Sequence, residues 1–573
     1  AALTSHAYRA GHACLNLNES LNGMVIHHAN GVNEQRLSAH WSQQAIQCPW
    51  WQSKDAASPL VWQDNRLYMR RAWQDEQTIE ANIHQRLTLI HEHQQPITPW
   101  ITDLFSAGSS AHDNQVNWQA IACALATRSQ FSIITGGPGT GKTTTVVRLL
   151  ALLQRLAQTT SSDATLHIGL AAPTGKAAAR LASSIQQALV HLPADFQTLL
   201  PTQAQTLHKW LATDDSASNR LNQCDCFIVD EASMIDLHLM AQLLRNLPLS
   251  TRLILLGDKD QLASVDAGAV LGQLCQGAEL GHYSVGTQSW LSEFAGQNLP
   301  TTYCSNAGTA LAQQTIMLRH SHRFDANSAI GQWATWVNQQ SINSVKAAYS
   351  QLAIWTKDTS EAVVALPIVA HDTHALKHLL LTQWHKLNQL LSHHSNAQDA
   401  DTWAKKCLNQ LSEFQLLCAV REGYWGLLSM NQRIAGWFGL NSATWLSGRV
   451  VMVTRNDYTL NLMNGDIGLC MEHPKLGLRV AFANEQGIRW ILPARLSHIE
   501  DAYAMSVHKS QGSEFNRVCL LLPDQDSPIL TKELIYTAIT RAKTQFILGC
   551  SQPQQLFHAV GRSVQRAGGL SFD

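Results

Sequence analysis

Apolar residues fall along this chain in blocks that switch between two spacings. SIIT (132–135), HIGLAA (167–172), CFIVD (226–230) and RLILLG (252–257) are continuous apolar runs of strand length. Between them lie longer stretches at helical spacing, such as TTVVRLLALLQRL (144–156). Strand-sized runs alternating with helices predict a parallel sheet with crossover helices over residues 113–315. A second alternating region fills 316–573, with FQLLCAV (414–420), RVCLLLP (517–523) and QFILGC (545–550) as its strands. Inside it the pattern changes at about 447–497, where GRVVMVTRND, NGDIGLCMEH, LGLRVAFAN and GIRWILPA alternate over short distances with turn residues between them. That stretch predicts a small β-barrel-like insertion. Residues 1–112 carry two short helical patterns, several prolines and a tryptophan patch (Trp41, Trp50, Trp51, Trp62, Trp73). They predict a packing module or a docking surface for a partner. No internal repeat and no low-complexity tract is visible.

Composition narrows the function classes. The 573 residues allow about three or four domains. Charged residues are 14% of the chain against roughly 25% in an average soluble protein, and 41 Lys plus Arg oppose 42 Asp plus Glu. With 45% hydrophobic residues, the chain is not a disordered tail protein. A formal net charge of −1 excludes a protein that coats nucleic acid by bulk attraction, so any contact with nucleic acid must be local and organised. No run approaches the length of a membrane-spanning helix, and the first residues have neither the pattern of a secretory signal nor an initiator Met, which reads as a trimmed or processed chain. The 12 cysteines are scattered without a CxxC pair. Cys224 and Cys226 read as buried strand neighbours, and reduced thiols in a cytoplasmic protein are the expectation.

The strongest chemical signal is Gly136-Gly137-Pro138-Gly139-Thr140-Gly141-Lys142-Thr143, followed by Thr144. It matches GxxxxGK[ST], with a strand before it and a helix after it, the context in which backbone N–H groups and a helix N-terminus cradle phosphates. Lys142 is expected to reach the β and γ phosphates of ATP, and the Thr143 hydroxyl to ligate Mg²⁺. The apolar strand Phe227-Ile228-Val229 ends in Asp230-Glu231. Asp230 is the candidate second Mg²⁺ ligand, and Glu231 the group that orients or deprotonates the attacking water. The strand at 252–257 leads to Gln261, which can hydrogen-bond a γ-phosphate or that water. Arg323 in LRHSHRF and Arg541 in YTAITRAK are candidates to stabilise charge on the γ-phosphate from another domain. Taken singly, Gln261 is an ordinary loop residue and each arginine a surface ion-pair partner; their sequence frames decide otherwise. His371, His374 and His378 share one helical face at metal-like spacing, but in a chain with 26 His they read as a plain helix face.

The ordered set GGPGTGKT, AAPTGKAAARL (171–181), TLHKWL (206–211), IVDEASMID, LLGDKDQL, LRHSHRF, SVHKSQGSEF (506–515) and YTAITRAK resembles the superfamily 1 DNA helicases over residues 116–545. Within that superfamily the chain is similar to the RecD branch, the alpha subunits of exodeoxyribonuclease V. The form GDKDQLASVDAGAVLGQL (257–274), the NGDIG turn (464–468), REGYWGLLSMN (421–431), GHACLNL (11–17) and PLVWQDNRLYMRRAW (59–73) carry that likeness. The resemblance implies an α/β fold of two RecA-like P-loop NTPase motor domains with ATP between them, an SH3-like barrel inserted in the second, and a mainly helical N-terminal domain. It implies that Gln119 recognises adenine and that Gly512 and Glu514 contact the nucleotide, Glu514 at the ribose. It further implies that Thr174, Lys176 and His208 in the first motor, with His508 and Ser510 in the second, touch single-stranded DNA. Also implied are 5′→3′ translocation, partners RecB and RecC, and action on duplex DNA ends in break repair. The sequence carries no carboxylate–lysine cluster of nuclease type, so exonuclease activity is expected of a partner. A stand-alone superfamily 1 helicase is the alternative. A catalytically dead scaffold is disfavoured, because Lys142, Asp230, Glu231, Gln261, Arg323 and Arg541 are all present.

Overall fold

In this computed structural model the structure describes residues 2–17, 25–26, 35–36, 58–91, 95–106, 116–161, 164–192, 199–212, 220–324, 328–369, 372–392, 399–440, 444–457, 459–484 and 487–572. Trp41, Trp50, Trp51 and His371 lie outside them.

The apolar runs become strands buried on both faces, as parallel sheets require. The first sheet has the order Thr315–Leu318, Phe131–Gly136, Arg252–Gly257, Cys226–Val229, Ile168–Ala172, Gln205–Thr206, and every pairing is parallel. Successive side chains point to opposite faces. Ile134, Ile228, Ile254 and Ile316 meet the helices Trp118–Ala126 and Lys142–Thr160 on one side. Phe131, Ile133, Phe227 and Leu255 meet the helix Leu237–Asn246 on the other. Because Thr315–Leu318 pairs with Phe131–Gly136, the first motor extends to Leu318, past the expected seam at 315.

The second sheet is also parallel, in the order Val363–Leu366, Ala542–Gly549, Phe515–Leu521, Phe414–Cys418, Ala504–Ser506. Its inner three strands match the sequence reading; the two edge strands, of four and three residues, were not singled out there. The insertion is a five-stranded antiparallel sheet in the order Gly487–Ile491, Gly477–Asn484, Ile467–His473, Val450–Val453, Ile499–Asp501. Alternation again gives two faces. Val450, Met452, Leu469 and Met471 pack on the helices Ala400–Ser412 and His374–Ser392, while Val451, Val453, Cys470 and Phe482 form a separate small core closed by Leu460 and Leu462. Its last strand carries the insertion to Asp501, beyond the expected limit at 497.

The N-terminal region is more closely tied to the first motor than a separable module would be. Its helix Arg70–Thr88 follows a three-stranded antiparallel sheet and buries Ile79 and Ile83 in the core that covers the first sheet. Arg86, fully buried, donates to the carbonyls of Leu247 (2.9 Å), Pro248 (2.8 Å) and Thr251. Such a guanidinium satisfies the carbonyls that end a helix and would be costly to leave unpaired.

The C-terminal segment closes the circuit. Val564 N–H donates to Glu533 in the second motor (3.0 Å), and the Arg566 guanidinium donates to the Asp266 carbonyl in the first (2.7 Å). Ala567 pairs with Ala13 and His12, and Gly569 N–H donates to both carboxyl oxygens of Glu76 (3.0 and 3.1 Å). Burial raises the Glu76 carboxyl from its ordinary 4.5 to about 7, against the Gly569 N–H that favours the charged form. A carboxyl raised in the folded chain contributes stability that is complete below pH 4.5 and is lost as pH rises through about 7. Glu76→Gln therefore should gain melting temperature relative to the wild type as pH goes from 5 to 8. Thermal unfolding of both proteins across that range checks this, and a constant difference would contradict it.

Candidate nucleotide site and DNA strip

The phosphate loop leaves the strand Phe131–Gly136 at its carboxyl end and turns into the helix Lys142–Thr160 through Gly139 (φ +76°) and Gly141 (φ +81°), a left-handed backbone that glycine adopts without strain. Close approach requires glycine here as well. A Cβ on Gly139 would run into the Arg323 Cβ, and one on Gly141 into the Gln119 amide. Lys142 Nζ lies over the loop, donating to the carbonyls of Gly136 (2.6 Å) and Gly137 (3.2 Å). Thr140 is buried, with its hydroxyl on the Gly137 carbonyl (2.8 Å), whereas Thr143 is half-buried and Thr144 exposed. Pro138 accepts from the Ser321 hydroxyl (3.0 Å), and Gly139 accepts from the His322 N–H (2.8 Å). The segment joining the two motors is thereby stitched to the phosphate loop.

Asp230 and Glu231 follow the neighbouring strand. Glu231 sits in a left-handed conformation (φ +52°), rare for a side chain of its size, and its N–H donates to Asp230 Oδ1 (2.8 Å). Burial, then the adjacent Glu231, push the Asp230 carboxyl above the usual range; Lys142 and Arg180 pull it back. Asp258, at the end of the next strand, is likewise raised by burial, with Lys142 opposing. It accepts from the Gln261 amide (2.9 Å) and from the Tyr536 hydroxyl (3.2 Å) of the second motor. Two buried polar atoms here, Gln261 Oε1 and Arg323 Nη1, have no partner among the described residues. An acceptor and a cationic donor left open beside a phosphate loop are groups prepared for something the protein itself does not supply.

The cleft between the motors is joined by charge. Glu514 pairs with Arg323 (2.7 Å), with Arg180 of the first motor, and with Lys543 at 4.0 Å. Burial would raise this carboxyl, but Arg180 and Arg323 hold it down at about 2. Arg541 is fully buried; its guanidinium donates to the carbonyls of Thr537 and Ser513 (both 3.1 Å), and burial lowers its pKa, with Glu231 opposing. Gln119 donates to the Thr140 carbonyl (3.1 Å) and accepts from Arg148 (3.1 Å) at the edge of the loop. Sequence reading missed Arg180, Tyr536 and Asp258 as members of the site. All three stood inside quoted motifs, and only tertiary contact turns them toward it.

The strip expected to touch DNA is arranged unevenly. Thr174 caps the helix Gly175–Leu189, its hydroxyl accepting from Ala177 N–H (3.2 Å). Lys176 faces Asp466 of the insertion, whose neighbour Met463 lies close over Gly175. His208 is exposed on the short helix Leu207–Trp210. His508 is held toward its neutral form by burial and then by Arg566. Ser510 is fully buried with its hydroxyl on the Val507 carbonyl (2.7 Å), so in this structure it shapes the turn and is not open to a strand. Between helix Gly175–Leu189, the insertion and the second motor lies a cavity of about 780 Å³, lined by Lys176, Lys209 and Lys543 together with Trp384, Phe438 and Tyr503. Cations with aromatic faces are the combination that holds single-stranded nucleic acid. His374 and His378 are exposed on the helix His374–Ser392, and no group of three or more His, Cys, Asp or Glu among the described residues could hold a metal ion.

Comparison with known proteins bears on the whole chain. Residues 119–267 match the AAA domain family, 501–548 the UvrD-like helicase C-terminal domain, and 1–68 the N-terminal domain of RecBCD enzyme subunit RecD. RecBCD enzyme subunit RecD of Haemophilus influenzae is 33% identical, covering 100% of this chain and 92% of its own. This chain belongs to the RecD family. The ATP-dependent RecD2 DNA helicase of Deinococcus radiodurans is 27% identical over 72% of this chain, but over only 46% of its own length. A crystal structure of Pif1 helicase from Bacteroides with ADP-AlF3 and ssDNA aligns at a TM-score of 0.39 and 15% identity, covering 74% of this chain and 89% of that one.

Gly139 gives the RecD-family site a direct test. Gly139→Ala forces a side chain into Arg323 and a methyl group into a left-handed backbone. ATP hydrolysis should fall about a hundredfold, the scale of a misplacement near 1 Å at a reacting centre. Wild-type turnover in a steady-state assay would contradict the packing described.

Proposed function

We propose that this chain is an ATP-dependent DNA helicase working as the RecD subunit of a RecBCD-type helicase–nuclease, with RecB and RecC as partners, on single-stranded DNA and duplex ends in break repair and recombination. The observation that carries this reading is the meeting of Lys142, Asp230, Glu231, Gln261, Arg323 and Arg541 around one cleft between two parallel sheets, in a chain similar to a RecD subunit along its entire length. The RecD N-terminal match over 1–68 favours the subunit over a stand-alone helicase. Translocation in the 5′→3′ direction belongs to the same reading. Among the described residues no helix is long and apolar enough to cross a membrane, and the described cysteines are free thiols. We assign the chain to the cytoplasm, where such thiols persist.

The chemistry follows from the side chains. Glycine-loop N–H groups and Lys142 take the β and γ phosphates. Thr143 and Asp230 offer a hydroxyl and a carboxylate, hard oxygen donors suited to Mg²⁺, and Asp230 Oδ2 is not used by the N–H that occupies Oδ1. When bound, that ion neutralises charge on the phosphate oxygens. Glu231 orients the attacking water or takes its proton. Gln261, its amide N–H already on Asp258, offers its open Oε1 to the same water. Arg323, from the segment that joins the motors, and Arg541, from the second motor, place positive charge against the γ-phosphate, which links hydrolysis to the relative position of the motors. Gln119 serves the adenine edge, and Gly512 and Glu514 the ribose side.

Lys142→Ala should lower DNA-stimulated ATP hydrolysis at least about a hundredfold without changing the thermal unfolding curve; retained hydrolysis would overturn the assignment. The chain should also co-purify from its source with two larger subunits. Duplex unwinding by the isolated chain, with no such partners in the native complex, would favour the stand-alone alternative.

A further inference from the structure

One guanidinium in the cleft is assigned no task by the scheme above. Arg180 lies on the helix Gly175–Leu189 of the first motor, one turn after Lys176 and on the same face. It reaches across the cleft to two points of a single turn in the second motor. Nη2 pairs with Glu514 Oε1, and Nη1 donates to the Gly512 carbonyl (3.2 Å). That turn, 508–514, also contains His508, a candidate DNA contact, and it sits close to the helix. A Cβ on Gly512 (φ +70°) would lie 3.8 Å from the Ala177 Cβ. Arg180 also lies within electrostatic reach of Glu231 and Asp230 in its own domain.

The helix is one capped, regular element. Thr174 caps it, and Ala177, Ala178, Leu181, Ala182 and Ile185 bury its inner face. Its outer face carries a cation at each end of a short lever: Lys176 against Asp466 of the insertion, Arg180 against Glu514 at the nucleotide cleft. A DNA phosphate arriving at Lys176 competes with Asp466 for the ammonium. Any shift of the helix that follows moves Arg180 and, with it, the Glu514 carboxylate.

Glu514 cannot satisfy every claim upon it. Its oxygens are divided between Arg180 and Arg323, yet Arg323 is needed at the γ-phosphate and Glu514 at the ribose. Once Arg323 leaves for the phosphate, Arg180 is the arginine that still orients the carboxylate. We propose that Arg180 is a positioning residue of the ATPase, which holds Glu514 and the 508–514 turn and so transmits DNA engagement on helix Gly175–Leu189 to the nucleotide site. This rests on the helicase reading above.

The test uses the full chain with Mg-ATP, with and without oligo(dT), and reads the ratio of the two hydrolysis rates. In Arg180→Gln that ratio should fall at least about tenfold, and Arg180→Lys, which keeps the cation, should recover to within about threefold of wild type. Because Arg180 acts largely through Glu514, adding Arg180→Gln to Glu514→Gln should lower the ratio by clearly less than it does in the wild-type background. A merely structural arginine would instead give the same fall in both backgrounds, and that result overturns the proposal, as does an unchanged ratio in Arg180→Gln. If Arg180→Gln does not fold, Arg180→Lys decides alone: a ratio below a tenth of wild type in a folded protein overturns the proposal, and recovery supports it. A wild-type chain whose hydrolysis ignores DNA overturns the helicase reading and this inference together. Arg180 results that fail against a DNA-stimulated wild type overturn the inference alone.

Discussion

A carboxylate buried between two arginines from different parts of the chain governs how the two motors meet. Burial alone would drive Glu514 toward its neutral form, and a neutral side chain would lose the charge attraction that joins it to both arginines. Arg180 and Arg323 reverse that and keep it ionised, at about 2. The pairs matter less for stability than for register, since buried ion pairs cost desolvation that their attraction only partly repays. What they fix is which turn of the second motor faces which helix of the first. Around them Asp230, Glu231 and Asp258 are balanced by Lys142 and Arg541, so an arriving polyphosphate enters a site where charge must be re-paired. On the proposed function, that re-pairing is what would move one domain against the other.

The same logic accounts for the near-neutral composition. A translocating motor must release DNA as often as it grips it, and strong bulk attraction would slow release. Here the positive groups are few and placed: Lys176, Lys209 and Lys543 line one cavity, with Trp384, Phe438 and Tyr503 as apolar faces. Two of these cations already have acidic neighbours. Lys176 faces Asp466, and Lys543 stands 4.0 Å from Glu514. On the proposed function, a DNA phosphate would exchange with these internal partners, which a coating protein would have no use for.

Much of this was legible in the sequence because it depends on local backbone. A phosphate loop is a run of glycines between a strand and a helix, and RLILLG or CFIVD needs no distant partner to read as a buried parallel strand. Asp230 and Glu231 were singled out because they directly follow such a strand, and Gln261 because it lies in the loop four residues past another. Short edge strands such as Ala504–Ser506 escaped, since three residues carry no period. Arg180 escaped because its helix spacing says only that it shares a face with Lys176, not that the face looks across a cleft. Ser510 was read as a DNA contact from its motif, and the turn instead folds its hydroxyl inward. The N-terminal region read as a packing module or a docking surface because its tryptophans drew attention, while the residues that bind it to the first motor, Ile79, Ile83 and Arg86, lie in an unremarkable helix.

On the proposed function, Arg323 changes partners when nucleotide is bound. The most direct measurement is the distance between the Arg323 guanidinium and the Glu514 carboxylate in a crystal structure of the chain with Mg²⁺, ADP and aluminium fluoride, compared with the 2.7 Å pair described here. The expected result is a broken pair, with Arg323 and Arg541 against the fluoroaluminate and Glu514 still held by Arg180. An intact Arg323–Glu514 pair beside a bound transition-state analogue would contradict it.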